Sequence, residues 1–394
     1  MGEPKIIHFD LDAFFCAVEE LRRPELRNQP FAVGGQPGER GVVSSCSYAA
    51  RQYGVRSAMP MGRAQVLCPN LIIVHSDYSV YRTASEAVML IIRDLTPLVE
   101  QISIDEAFLD VSDLPQAGLE IAQNLQARIQ RELQLPCSLG VASNKLVAKI
   151  ATDFGKAQHK GSSYPNAITV VPLGEEAAFL APLPTRMLWG VGPKTEARLA
   201  EMGIRTIGEL ASLPEGRLAS EFGKYGLELA RHARGISGSK IESIHVVKSI
   251  SQETTFERDV ADPARLRMTL QSLADQVAYR LRQHGLEAGT IRLKLRWPDF
   301  STHTRQLTLN QPTDQDRVVY EGALELFNKL WSPGKAVRLL GVGASNLSER
   351  ARQLSLWETS DEREQRLLEA LDQLRERYGR QVVQRGRSLR TPKK

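Results

Sequence analysis

At 394 residues the chain is longer than one hydrophobic core usually supports, so two or more compact units are expected to share it. With 42% hydrophobic and 25% charged residues it has a globular balance; no apolar run approaches the roughly 18 residues of a membrane span and no signal-peptide pattern opens it, so a cytoplasmic protein with no membrane partner is expected. A net charge of +5 and a pI near 9.0 suit a polyanionic partner, whereas Cys16, Cys46, Cys68 and Cys137 lack metal-type spacing and read as reduced packing residues.

In chain order, Lys5 to Phe9 suits a buried strand and Phe14 to Leu21 a helix that Pro24 ends, which places Asp10 and Asp12 at a strand-to-helix junction. A small insertion follows, with strands at Phe31 to Val33 and Val42 to Ser44 and helices at Tyr48 to Tyr53 and Met61 to Leu67. Leu71 to His75 reads as a strand and Val80 to Leu95 as a helix. Ile102 to Val111 alternates apolar and polar residues around Asp105-Glu106 and reads as a hairpin or bent strand. Helix, strand and helix are then expected at Leu119 to Leu133, Cys137 to Ala142 and Lys145 to Phe154. The order suggests an elaborated split βαβ sheet with helices on one face.

Proline-punctuated residues 172 to 184 lead into a helical unit in which Gly190-Val191-Gly192 precedes a helix at Thr195 to Met202. Gly235 to Lys240 has linker composition. Beyond it, strands at Lys248 to Phe256, Thr290 to Trp297, Thr302 to Leu309 and Ala336 to Ala344 alternate with helices at Asp262 to His284 and Thr313 to Leu330, a separate α+β domain. From Ser348 the chain is charged, with one helix from about Asp361 to Tyr378 and a basic end, and is expected to be mobile.

Two strand-borne acidic sites, Asp10 and Asp105-Glu106, suit magnesium ions organising phosphoryl transfer. Asp12 reads as a solvated or helix-capping acid, and Lys145 and Lys149, four apart, as a solvated helix face. A helix N-terminus after Gly190 and Gly192, with Lys194, presents amides to a phosphate. Arg292, Lys294 and Arg296 alternate with Ile291, Leu293, Leu295 and Trp297, so one strand face would bury and the other would meet a nucleic-acid backbone.

Asp10-Leu11-Asp12-Ala13-Phe14-Phe15 and Ser103-Ile104-Asp105-Glu106-Ala107-Phe108 resemble the two palm motifs of Y-family translesion DNA polymerases. The likeness extends through residues 44–51, 140–151, 189–194 and 248–256, in the family's order, and is nearest the bacterial DNA polymerase IV branch. It implies an α+β multidomain protein: palm (1–20 and 75–165) with a split-βαβ-like sheet, small fingers (21–74), and a helical thumb (166–234) with a helix-hairpin-helix-like element. A linker (235–242), a separate α+β little finger (243–347) and a tail (348–394) complete it.

The resemblance makes Asp10, Asp105 and Glu106 the catalytic carboxylates, which with the Leu11 carbonyl would hold two Mg2+ ions. It makes Phe14, Phe15, Ser45, Tyr48, Arg51 and Lys156 the deoxynucleotide-binding residues, Phe15 as the barrier to a 2′-hydroxyl. Where the family usually has Lys-Pro-Asn-Gly, this chain has Lys156-Ala157-Gln158-His159-Lys160-Gly161, which leaves that loop's geometry open. Gly190, Gly192, Lys194, Arg292, Lys294 and Arg296 would contact primer-template DNA. Gln353, Leu354, Leu356 and Trp357 resemble a peptide that docks in a sliding-clamp groove, the alternative being that it packs on its own domain. A low-fidelity, lesion-tolerant monomeric polymerase without proofreading is the implied function; a non-catalytic DNA- or clamp-bound scaffold and a nucleotide cyclase are the alternatives.

Overall fold

A computed structural model describes residues 3–244, 246–350, 360–379 and 382–383. The chain divides into two units, Met1–His245 and Val246–Lys394. In the first, β1 (Ile6–Leu11) and α1 (Phe14–Arg22) are followed by β2 (Phe31–Gly34), β3 (Val43–Cys46), α2 (Tyr48–Gln52), α3 (Met61–Leu67) and β4 (Ile72–Val74). Next come α4 (Tyr78–Leu95), β5 (Val99–Gln101), β6 (Glu106–Asp110), α5 (Gly118–Leu133), β7 (Cys137–Ala142), α6 (Lys145–Gln158) and β8 (Ile168–Val170). Five helices complete the unit: α7 (Glu176–Leu180), α8 (Pro193–Glu201), α9 (Ile207–Ala211), α10 (Glu215–Phe222) and α11 (Lys224–Ala233).

The main sheet has the order β5-β6-β1-β7-β8, with β1 antiparallel to both neighbours. Every residue of β1 is buried, which its near-continuous apolar run requires of a central strand covered on both faces. Ile7, Phe9 and Leu11 point into a core with Val88 and Ile92 of α4 and Ile121 and Leu125 of α5. The opposite parity, Ile6 with Phe108 of β6, packs against Leu146, Val147 and Ile150 of α6. Helices therefore cover both faces, not one as the element order suggested, because α6 carries its own apolar stripe.

The strand expected at Leu71 to His75 exists as β4 but pairs parallel with β2 in the small sheet β3-β2-β4. One edge of the main sheet is instead β8, parallel to β7, a three-residue strand that the apolar pattern did not reveal. Helix α6 runs four residues past its expected end, which puts Lys156 on the helix. The linker is tied down: Lys145 is buried and donates to both oxygens of Glu100 (2.9 and 2.7 Å) and to the Lys240 carbonyl, while the Glu242 amide donates to Glu100 (2.8 Å).

In the second unit, β9 (Ser249–Val260), α12 (Pro263–Gln283), β10 (Leu286–Arg296), β11 (Thr302–Thr313), α13 (Asp316–Leu330) and β12 (Val337–Glu349) precede α14 (Ser360–Tyr378). The antiparallel sheet β11-β10-β12-β9 buries Ile291, Leu293 and Leu295 against α12 and α13. The tail helix α14 is docked, contrary to expectation: Arg282, only 6% exposed, reaches Asp372 of α14 (2.6 Å) and Asp316 (2.8 Å). The charged tail reads as mobile because the sequence does not show that Arg282 is buried and needs anions. Residues 353–357 lie outside the described residues.

Candidate active site

The register of the main sheet sets Asp10 of β1 directly opposite Glu106 of β6. Both share a face with Ile6, His8 and Phe108, the face that α6 covers. Asp105 is not on a strand; residues 102–105 form the turn between β5 and β6. Ser103 organises that turn, its hydroxyl accepting from the Asp105 and Glu106 amides (3.1 and 3.0 Å) and donating to the Asp105 carboxylate (2.5 Å). Ser103 was missed by sequence reasoning, although a serine two and three residues before the acids is the pattern of such a turn.

Helix α6 brings cations to the acids. Lys149 donates to Glu106 (3.2 Å), and Lys156 is paired with Asp10 (2.5 Å) and Asp12 (3.3 Å). Neither Lys145 nor Lys149 lies on a solvated face, since each meets a carboxylate that burial would otherwise leave uncompensated. Asp12 is wholly buried, accepts from Ser138 (2.9 Å) and from the Asn166 amide (3.0 Å), and does not cap α1. It anchors β7 and the 166 segment and holds Lys156 from behind. Asp110 accepts from both the amide and hydroxyl of Ser112, a local structural role.

A cavity of about 260 Å³ gathers Asp10, Leu11, Phe14, Phe15, Ser45, Arg51, Asp105 and Lys156. Phe15 stacks on Tyr81 (4.2 Å, 13° between planes) and meets Tyr78 edge-on (5.6 Å), so its ring is braced. Phe14, 2% exposed, lies 5.5 Å from Phe15 and contributes to the cavity wall beside it. Ser45 is buried. The Arg51 guanidinium lies 4.4 Å over the Tyr48 ring and donates to the Cys46 carbonyl (3.3 Å). The Tyr48 hydroxyl is buried and has no hydrogen-bond partner among the described residues, and burial with nearby Asp12 pushes its pKa up to about 12.

Burial pushes the Asp105 carboxyl above the usual range, with Ser103 opposing and Asp10 adding to the push. Glu106 is also raised by burial, against the pull of Lys149. Buried His8, whose Nδ1 meets Thr152 Oγ1 (2.9 Å), is held well below its ordinary value by burial and then by Lys149 and Lys156, so it is neutral.

A folded carboxyl with a raised pKa takes up a proton more readily than the unfolded chain, so its penalty is absent at low pH and complete once the pH has risen through the folded value. In a chelating buffer at neutral pH, Asp105→Asn is expected to stabilise the fold by about 1 kcal/mol, roughly 2–4 °C in thermal midpoint. The amide oxygen can still accept from Ser103. A calorimetric midpoint equal to or below wild type would contradict the assignment of that cost.

Among the described residues no three acidic or histidine side chains already converge as a metal cage. Asp10, Asp105 and Glu106 nevertheless form an all-oxygen, partly buried donor set of three carboxylates of which lysines pair two, Lys156 with Asp10 and Lys149 with Glu106, and the uncompensated charge fits a hard divalent cation.

In the helical subdomain, Gly190 adopts a left-handed conformation (φ 96°) and Gly192 precedes α8, with Gly190, Gly192 and Lys194 exposed. In the second unit, Arg292, Lys294 and Arg296 share one face of β10, as the alternation predicts. Two of these cations are engaged: Lys294 with Glu253 (2.8 Å) and Arg296 with the Thr302 hydroxyl (2.8 Å). Arg292 and Lys294 line a groove of about 340 Å³ with Ser251, Glu253, Gly341 and Gly343.

Comparison with known proteins gives these sites a lineage. Residues 9–153 match the impB/mucB/samB family, residues 247–356 that family's C-terminal domain, and residues 186–237 the DNA polymerase-iota thumb domain. The chain is 40% identical to the DNA polymerase IV of Dehalococcoides mccartyi strain CBDB1 over 394 residues, 99% of each chain. It is 40% identical to that of Desulfatibacillum aliphaticivorans, covering 98% of this chain and 96% of the other, and 37% identical to that of Bacillus velezensis, covering 98% and 93%. A solved Y-family DNA polymerase chimera shares the fold with a TM-score of 0.77 at 24% identity, over 88% of this chain and 100% of the other. Catalytic, thumb and little-finger domains are thus those the motifs implied, and the chain belongs to the Y-family, or impB/mucB/samB, DNA polymerases.

Proposed function

We propose that this chain is a template-directed, lesion-tolerant DNA polymerase, in which a primer 3′-hydroxyl attacks the α-phosphate of a deoxynucleoside triphosphate and pyrophosphate departs. The observation that carries this reading is the meeting of Asp10, Asp105, Phe15, Ser45, Arg51 and Lys156, from distant parts of the chain, around one cavity. Asp10, Asp105, Glu106 and the Leu11 carbonyl would hold two magnesium ions, which when bound supply Lewis-acid stabilisation to the attacking and leaving oxygens. Lys156 and Arg51 bind the triphosphate, with Tyr48 and Ser45 shaping its berth and Phe15 walling off the 2′ position of the sugar. Loose enclosure by the small-residue fingers and the lack of proofreading belong to the same reading.

In it, residues 1–20 and 75–165 act as palm, 21–74 as fingers, 166–234 as thumb and 243–347 as little finger, joined by the 235–242 linker and followed by the 348–394 tail. The α8 N-terminus, with Gly190, Gly192 and Lys194, and the β10 cations grip primer-template DNA. A sliding clamp engaged by Gln353, Leu354, Leu356 and Trp357, a monomeric state and a cytoplasmic location complete the proposal. No helix among the described residues is long and apolar enough to cross a membrane.

Extension of a primed template with magnesium and the four deoxynucleotides tests it: products should follow the template base, and a purified chain that never extends the primer would overturn it. Binding should also report the little-finger face. Arg292→Gln with Arg296→Gln is expected to weaken DNA affinity alike for all sequences and to flatten the salt dependence by about 0.9 for each phosphate that is no longer neutralised. Fluorescence anisotropy across a salt series measures this, and an unchanged slope would remove β10 from the interface.

A further inference from the structure

Among the residues assigned to the triphosphate, Tyr48 and Arg51 come from α2 and Lys156 from the last turn of α6. Their spacing depends on what holds α2 against the segment after α6. That segment is where this chain departs from Lys-Pro-Asn-Gly. Without a proline, α6 continues past Lys156 to Gln158 and leaves His159 at its end. The His159 ring meets Tyr48 edge-on (6.0 Å, 86°), with Tyr164 against the same tyrosine (5.6 Å, 73°). Ser163 lies 3.4 Å from His159 Nε2, and a side chain at Gly161 would press on the same ring, so the loop is wrapped around the imidazole. From the other side, Gln52 at the end of α2 donates to the Lys160 and Gly161 carbonyls (3.3 and 3.0 Å).

We propose that the loop after α6 is a latch that holds α2 in its triphosphate-receiving position, with Gln52 and His159 as positioning residues acting through Tyr48 and Arg51. The inference rests on the polymerase reading of the cavity. A loosened α2 would occupy the receiving position for a smaller fraction of the time, and apparent nucleotide affinity falls by that fraction. Chemistry at the carboxylates, held by the main sheet and α6, would proceed at its usual rate once nucleotide is bound.

The test is steady-state single-nucleotide insertion by the full chain on a primed template. Gln52 is exposed, so Gln52→Ala removes both latch hydrogen bonds without opening the core. It is expected to raise KM for all four deoxynucleotides about threefold to tenfold, the net worth of two exposed amide–carbonyl hydrogen bonds, with kcat within about twofold and the DNA Kd unchanged. His159→Ala should do the same, and His159→Phe, which keeps an aromatic edge on Tyr48, should recover most of the loss. Unchanged KM in both Gln52→Ala and His159→Ala, or a fall in kcat as large as the rise in KM, would overturn the latch. If the wild-type chain extends no primer, the polymerase reading fails instead, so the two failures are distinguishable.

Discussion

Asp105→Asn and Glu106→Ala should each lower primer extension by at least about a thousandfold, roughly 4 kcal/mol of transition-state stabilisation, while the protein still folds and still binds DNA. Both acids stand where charge must be concentrated: Glu106 faces Asp10 across adjacent strands, and Asp105 is held in the neighbouring turn by Ser103. Burial opposes both negative charges, and the main sheet and α6 keep them in place regardless. An amide at position 105 or a methyl at 106 removes an anionic oxygen without removing a strand. The pairing with stability is diagnostic, because Asp105→Asn is expected to gain thermal stability in chelator as it loses activity. Single-turnover extension with magnesium checks the rate, and a variant within tenfold of wild type would remove that acid from the reacting centre.

Phe15→Ala should reduce discrimination against ribonucleotides by about a hundredfold, mostly through improved ribonucleotide insertion, with deoxynucleotide insertion changed far less. Its ring cannot swing aside easily: Tyr81 stacks beneath it, Tyr78 meets its edge and Phe14 fills the core behind. A braced ring excludes an extra hydroxyl by hard contact, whereas a loose one would yield. Truncation at Phe15 opens the wall and leaves Phe14 in the core, so the fold should survive. The ratio of kcat/KM for matched deoxy- and ribonucleotides measures the effect, and an unchanged ratio would refute the role of Phe15.

Much of this was legible in the residues. Alternation along residues 291–297 settled which face of β10 is apolar, and the unbroken apolar run of β1 marked a buried central strand. The two acidic motifs, with Phe15, Tyr48, Arg51 and Lys156, already named most of the cavity's walls and their support. The strand faces are local properties, because side-chain direction follows the period of a helix or strand, whereas Phe15, Tyr48, Arg51 and Lys156 were marked by the resemblance to the family's motifs.

Tertiary structure alone decided the partners. Asp12 looks like Asp10 in sequence but is wholly buried and bonded to Ser138 and Asn166, and Lys149 looks solvated but meets Glu106. Ile72–Val74 was visibly extended, yet whether it paired with β2 or joined the main sheet depended on strands far along the chain. Local periodicity says which way a side chain points. What it meets there is set by packing between segments far apart in the chain, 43 residues for Glu106 and Lys149 and 146 for Asp10 and Lys156, so burial, charge compensation and the spacing of the site came only with the fold.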